Sequence, residues 1–104
     1  MITGGFKVEG YDDYTFRVKK MNAFDILGLQ TQVKFDNSDD AQKFFKLCLE
    51  FLEVECKGVW LPVKEKGLEV YAPAEIEDNL DLLKGVVNTF MNEYLLPVFT
   101  KSGE

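Results

Sequence analysis

The first part of the chain alternates between apolar and polar residues, which is the pattern of a β-strand with one buried face. The apolar residues in this alternation are Phe6, Val8, Tyr14, Phe16 and Val18. Residues 10–13, with the sequence Gly-Tyr-Asp-Asp, interrupt the pattern and have a composition typical of turns. We therefore predict an opening β-hairpin whose turn lies at residues 10–13.

A helix start follows this hairpin. Asn22 is suited to cap a helix N-terminus, and Asp25 falls in the first turn, where the helix dipole favours negative charge. We predict a first helix from this cap to about Val33. Gly28 lies inside it and costs roughly 1 kcal/mol relative to alanine, which indicates either a weak helix or close packing against another backbone.

A second helix start lies at residues 36–40, where Asn37 or Ser38 can act as the cap and two aspartates follow. The apolar residues beyond it cover a broad surface: Ala41, Phe44, Phe45, Leu47, Cys48, Phe51, Leu52 and Val54. We predict a helix over residues 41–56. It needs cover on two sides, because only a narrow band of its surface is charged.

Strand signals return after this helix. Residues 59–63 and 68–71 flank the segment Lys-Glu-Lys-Gly, in which Gly67 can take the positive φ that a short hairpin loop requires. The pattern predicts a second β-hairpin. Pro62 cannot donate a hydrogen bond to a ladder, so its strand should be short or lie at a sheet edge.

The last element should be a long helix, because apolar residues recur at intervals of three and four from residue 83 to residue 95. It should begin between Pro73 and Asn79. Pro97 disfavours the α conformation at Leu96, so we expect the helix to end nearby.

Together these elements predict an α+β fold with an N-terminal β-hairpin, two helices, a second short β-hairpin and a long C-terminal helix. No repeat, low-complexity tract or linker divides the sequence. We therefore predict a single domain over residues 1–104, with frayed ends at residues 1–5 and 100–104.

The charge of the chain narrows its range of partners. The 104 residues carry a formal net charge of −6, which argues against nucleic acid and anionic membranes as partners. No apolar run approaches the roughly 20 residues that cross a bilayer. The N-terminus lacks the basic and apolar regions of a secretion signal, so we expect a cytoplasmic protein.

The composition also argues against catalysis. The chain has no histidine, which removes the usual general base near neutral pH and the commonest metal ligand. Its two cysteines are too few for a structural zinc site, and its paired acidic residues are interpreted as turns and helix ends. We expect a protein that is not an enzyme and that carries no metal or cofactor. Nine phenylalanines favour apolar surface that a partner covers.

The two cysteines are not expected to form a disulfide. If one helix carries both Cys48 and Cys56, their Cα atoms lie about 12 Å apart, beyond the roughly 7 Å limit for bridging. Cys48 lies in an apolar stretch, where a raised pKa and an unreactive thiol are expected.

The order of these parts resembles the small tail assembly chaperones of long-tailed, siphovirus-type bacteriophages and prophages. Three stretches carry the resemblance: residues 16–27, a strand running into a capped helix, residues 41–56, and residues 59–63 before the final helix. The resemblance spans most of the chain and rests on arrangement, since none of these stretches is a specific motif. It implies a protein that coats the hydrophobic tape measure protein and keeps it soluble during tail assembly.

No binding residue follows from the resemblance. From expected exposure we predict that the partner, a tape measure protein or a similar helical client, contacts Trp60, Leu95, Val98 and Phe99. We also expect a homo-oligomer. The alternative is another small acidic cytoplasmic chaperone or adaptor, for example one like the secretion chaperones, which dimerises and binds helices. An enzyme that uses carboxylates alone is the least favoured class.

Overall fold

The computed structural model describes residues 5–33 and 36–97. It confirms the α+β class: a four-stranded antiparallel sheet, in the order β1-β2-β3-β4, is combined with three helices. The elements are β1 (Phe6–Val8), β2 (Tyr11–Val18), α1 (Ala23–Gln32), α2 (Ser38–Glu50), β3 (Leu52–Cys56), β4 (Val59–Pro62), a short 3₁₀ helix (Ala74–Glu77) and α3 (Leu80–Phe90). The expected fraying at residues 1–5 and 100–104 lies outside the described residues except at Gly5.

The predicted N-terminal hairpin is present as β1 and β2, which pair Phe6 with Phe16 and Val8 with Tyr11. Its turn differs from the prediction, because β2 already begins at Tyr11. Residues 9 and 10 alone make the turn, and Gly10 has a φ of 87°. The two aspartates after it therefore belong to the strand.

Both predicted helix starts are correct. Asn22 and Asp25 form a reciprocal capping box at α1, in which each side chain accepts a hydrogen bond from the other residue's backbone N–H. Asn37, not Ser38, caps α2, and its side-chain oxygen accepts from the Asp40 N–H at 2.9 Å. The two helices are inserted between β2 and β3.

The prediction of one helix over residues 41–56 is wrong, because α2 ends at Glu50. The following residues, Leu52-Glu53-Val54-Glu55-Cys56, alternate between apolar and acidic side chains and form β3 in the interior of the sheet. Leu52 and Val54 are fully buried, whereas Glu55 is exposed. In residues 52–56 the alternation of apolar and acidic side chains therefore indicates the observed strand better than the helical spacing of the whole stretch indicates a helix.

The second hairpin joins different strands from those predicted. β4 pairs with β3, not with residues 68–71, which make only an isolated bridge between Lys64 and Tyr71. The connecting turn consists of Lys57 and Gly58, with φ values of 54° and 81°. Two positive φ values are required by the type of turn that matches the twist of paired strands. β4 lies at the sheet edge, as its Pro62 predicts.

The C-terminal helix changes its winding before it ends. Asn79 caps α3, which passes into a π-helical turn, Met91–Leu95. A π turn places residues five apart on the same side, and both Phe90 and Leu95 are fully buried. Leu96 is the C-cap of this turn and keeps α-helical angles of −61° and −44°, although Pro97 was expected to disfavour them, and the residues after Pro97 lie outside the described part of the chain.

The helices lie on one face of the sheet and enclose a single core. Its largest fully buried side chains come from both layers: Phe16, Leu52 and Val54 from the sheet, and Leu29, Phe44, Leu49, Leu82, Val86 and Phe90 from the helices. Asn79 ties the layers together at one end, because its amide donates to the Tyr11 hydroxyl at 2.7 Å.

Two helical glycines have opposite surroundings. A Cβ at Gly85 of α3 would lie 2.5 Å from Val8 Cγ1, so the glycine lets α3 approach β1. A Cβ at Gly28 of α1 would meet no atom within 4 Å. Close packing therefore does not explain Gly28, which leaves α1 intrinsically weak.

Alanine at these two positions should change stability in opposite directions. Gly28→Ala should raise the free energy of unfolding by roughly 0.5–1 kcal/mol, because alanine favours the helix and clashes with nothing. Gly85→Ala should lower it by about 1–3 kcal/mol, because the stiff Val8 side chain must be displaced. Urea unfolding of both variants measures the difference, and a stabilising Gly85→Ala would contradict this packing.

Candidate partner-binding site

Large apolar side chains remain exposed at several places on the described surface. They are Phe24, Leu27, Val59, Leu61, Leu68, Val70, Leu80 and Leu96. Phe24 is 82% exposed, the highest value among them. Single exposed apolar residues are ordinary in proteins, so a binding site requires several of them beside a concave surface.

Helix α1 has such a surface because it carries apolar residues on two faces. Ile26, Leu29 and Val33, at intervals of three and four, form the stripe that faces the protein, and Leu29 is fully buried. Phe24 and Leu27 begin a second stripe that faces water. Neither side chain belongs to the core.

A groove of about 380 Å³ lies beside the second stripe. We define the α1 groove by Phe24 and Gly28 from α1, Leu47 and Phe51 from the end of α2, and three lysines, Lys19, Lys20 and Lys66. Gln32, Asp25 and Glu50 complete its lining. The groove therefore combines an apolar bed with a largely basic rim.

The acidic groups of the α1 groove are already bonded within the protein. Asp25 accepts the capping hydrogen bond from the Asn22 N–H at 3.0 Å. Glu50 accepts from the Lys64 Nζ at 3.2 Å, and that lysine is only 5% exposed. A buried ammonium requires such an anion, so the Glu50 carboxylate stabilises the fold by compensating the charge of Lys64.

A second groove, of about 340 Å³, lies between α2 and α3. Its apolar lining comes from Phe45, Leu49, Ile76 and Leu83. Its rim is held by internal bonds, because Glu69 pairs with Lys46 at 3.1 Å and accepts a hydrogen bond from the Tyr71 hydroxyl. These bonds lower the pKa of Glu69, the one from Tyr71 most strongly, while burial and the Glu69 carboxylate raise the pKa of Tyr71. This groove is thus less open to a charged partner than the α1 groove.

The open face of the sheet is polar apart from Trp60. The Arg17 guanidinium lies 4.0 Å from the centre of the Trp60 ring and also pairs with Glu53 at 2.8 Å. A cation over an indole ring is a favourable contact. Trp60 is therefore half-buried under a side chain of its own protein.

The edge strand β4 is a poor template for another strand. The Val63 N–H donates to the Leu52 carbonyl, so by alternation Leu61 and Val59 also point their backbone groups towards β3. Trp60 and Pro62 point theirs outwards, and proline has no N–H to donate. Only one outward donor remains on β4, which limits pairing at this edge.

The structure does not bring the predicted partner-binding residues together. Leu95 is fully buried in the π-helical turn, so the expectation that it is exposed is wrong. Trp60 lies on the sheet under Arg17. Val98 and Phe99 lie outside the described residues. The sequence did hold a signal for Phe24 and Leu27, because α1 has more apolar residues than one face can bury.

Two titratable groups outside the grooves have a strongly raised pKa. Burial raises the pKa of Cys48 to about 12, as expected for a buried, unreactive thiol. The Glu75 carboxylate raises the pKa of Tyr14 to about 12. Cys56 lies in β3 and not on a helix with Cys48, so the helical distance argument does not apply, and both are free cysteines.

Within residues 5–33 and 36–97, no group of three or more histidine, cysteine or acidic side chains is placed to hold a metal ion. Over the same residues no helix has both the length and the apolar character to cross a membrane. Comparisons of the chain with protein-family models, curated proteins and solved structures find no match. The case for a site therefore rests on the two grooves.

Breaking the ion pair beneath the α1 groove should destabilise the protein. Glu50→Gln should lower the free energy of unfolding by roughly 1–3 kcal/mol, because it leaves the Lys64 ammonium buried without an anion. The double variant Glu50→Gln/Lys64→Met should recover much of this loss. Glu53→Gln, which breaks the exposed pair with Arg17, should cost at most about 1 kcal/mol. Equal losses for Glu50→Gln and Glu53→Gln in urea unfolding would contradict the assignment.

Proposed function

We propose that this protein is a phage tail assembly chaperone that binds the hydrophobic tape measure protein and keeps it soluble during tail assembly. The observation that carries the proposal is the second apolar stripe of α1, with Phe24 82% exposed beside the α1 groove. Its mode of action is binding without catalysis. Its place of action is the cytoplasm of the host bacterium.

The shape of the surface favours a helical client. A helix docks into a groove through side chains at intervals of three and four, and Phe24, Leu27 and Gly28 of α1 follow this spacing. Gly28 leaves open space on the same face. A client helix lying along α1 therefore approaches the α1 backbone closely and covers both apolar side chains.

Burial of this stripe contributes to the free energy of client binding, together with the rest of the groove. Complete burial of a phenylalanine or leucine side chain contributes about 1.5–3 kcal/mol. Most of this is available at Phe24, and about half at Leu27, which is 54% exposed. The net charge of −6 keeps a protein with such a surface in solution and opposes its aggregation.

The resemblance to tail assembly chaperones supplies the identity of the client. Of the three stretches that carry it, residues 16–27 form a strand followed by a capped helix, while residues 41–56 divide into α2 and β3. The first of these stretches contains Phe24 and Leu27. Self-association is part of the proposal, and sedimentation velocity of the free protein measures it.

Replacing the exposed stripe should weaken the chaperone effect and leave the fold intact. Co-expression with the tape measure protein should increase the soluble fraction of that protein. Phe24→Ala/Leu27→Ala should weaken this effect and reduce affinity for a tape measure segment at least about tenfold, because the buried apolar area is lost. Titration with a fluorescent segment measures the affinity.

Leu80→Ala/Leu96→Ala is the matched control, because both leucines are exposed and line neither groove, Leu80 at the start of α3 and Leu96 after the π-helical turn. It should retain both the solubilising effect and the affinity. If co-expression has no effect on the tape measure protein, or if both double variants behave alike, the proposal fails.

A further inference from the structure

We infer that the α1 groove selects an amphipathic helix whose apolar stripe is flanked by aspartate and glutamate. The inference rests on the proposed function, because it names the chemistry of the client that the same surface takes. The argument depends on the three lysines of the groove, Lys19, Lys20 and Lys66.

None of these three lysines has an acidic partner within the described part of the chain. The ion pairs there join Arg17 to Glu53, Lys46 to Glu69 and Lys64 to Glu50, and no side-chain hydrogen bond among the described residues uses a lysine of the groove. Lys20 and Lys66 are exposed. Three lysines therefore line the groove without forming an ion pair within the described residues.

The charge of the groove is opposite to that of the chain. Acidic residues outnumber basic ones by 18 to 12, yet three lysines converge at this one groove. Of its two acidic residues, Glu50 is neutralised by the buried Lys64, while Asp25 accepts only a neutral backbone N–H and keeps its charge, so three lysines face one uncompensated carboxylate. A partner that approaches the groove therefore meets a positive potential, which complements carboxylates.

The rest of the surface favours a peptide helix over a phosphate-rich partner. A membrane or a nucleic acid presents negative charge over distances much larger than the groove, so most of an acidic protein is repelled from it. A single helix contacts only the groove. Its apolar side chains cover Phe24, and its flanking carboxylates reach the lysines on the rim.

Two helical peptides with the same apolar stripe test the inference, one with glutamate and the other with lysine at every flanking position. The glutamate peptide should bind about tenfold more tightly in low salt, a difference that about three exposed ion pairs can supply. The difference in affinity should shrink in 0.5 M salt, because the salt screens the charges. Fluorescence anisotropy measures both affinities.

The variant Lys20→Glu/Lys66→Glu should reverse the preference of the groove. Its matched control is Lys57→Glu/Lys84→Glu, which changes the net charge equally at exposed lysines that line neither groove. The control should keep the preference for the glutamate peptide. A reversal by both variants would show that net charge decides, and would overturn the inference.

The outcomes separate the inference from the proposed function. The two peptides could bind wild-type protein equally, with Phe24→Ala/Leu27→Ala weakening the binding of both. That result would overturn the acidic preference and leave the chaperone proposal standing. Binding of neither peptide, together with no solubilising effect on the tape measure protein, would overturn both. Binding to phosphatidylserine vesicles in preference to the glutamate peptide would show that the groove takes lipid, and would overturn the inference.

Discussion

Burial of the apolar face of the sheet under α2 and α3 is the interaction on which the rest of the structure depends. The sheet has one apolar face, on which Phe16, Leu52 and Val54 are fully buried. Phe44 of α2 and Phe90 of α3 belong to the same core. Because α2 and α3 cover this face of the sheet, α1 packs against α2 and buries only part of its own surface. The second apolar stripe of α1 follows from that position.

The sequence predicts well those elements whose signals are local. The caps Asn22 and Asn37 and the alternation in β2 lie within a few residues of the structure they determine, and each is confirmed. The junction of α2 and β3 could not be read in this way, because residues 41–56 are apolar at both helical and strand intervals. The turn that completes β3 was equally hard to recognise, since Lys57 is an uncommon residue at a positive φ. Long-range pairing with β2 decides the strand.

The candidate site shows a different limit. Exposure was predicted at the end of the chain, but the π-helical turn rotates Leu95 into the core, and one extra residue per turn leaves no local signal in the sequence. The sequence of α1 contains more apolar residues than one helix face can bury, but it does not show which of them face water. Deciding that Phe24 faces water requires knowing that Leu29 faces α2, which is a property of the packed helices.

The α1 groove also shows how stability and binding share residues. Glu50 lines the groove, yet its carboxylate is held by Lys64, so it does not neutralise the lysines on the rim. If that carboxylate were unpaired, its charge would offset part of the charge of the lysines that line the same groove. The buried ion pair therefore has two consequences: it satisfies an ammonium group inside the protein, and it leaves the rim basic. The charge of the groove is thus set partly by Lys64, which is buried and does not line the groove.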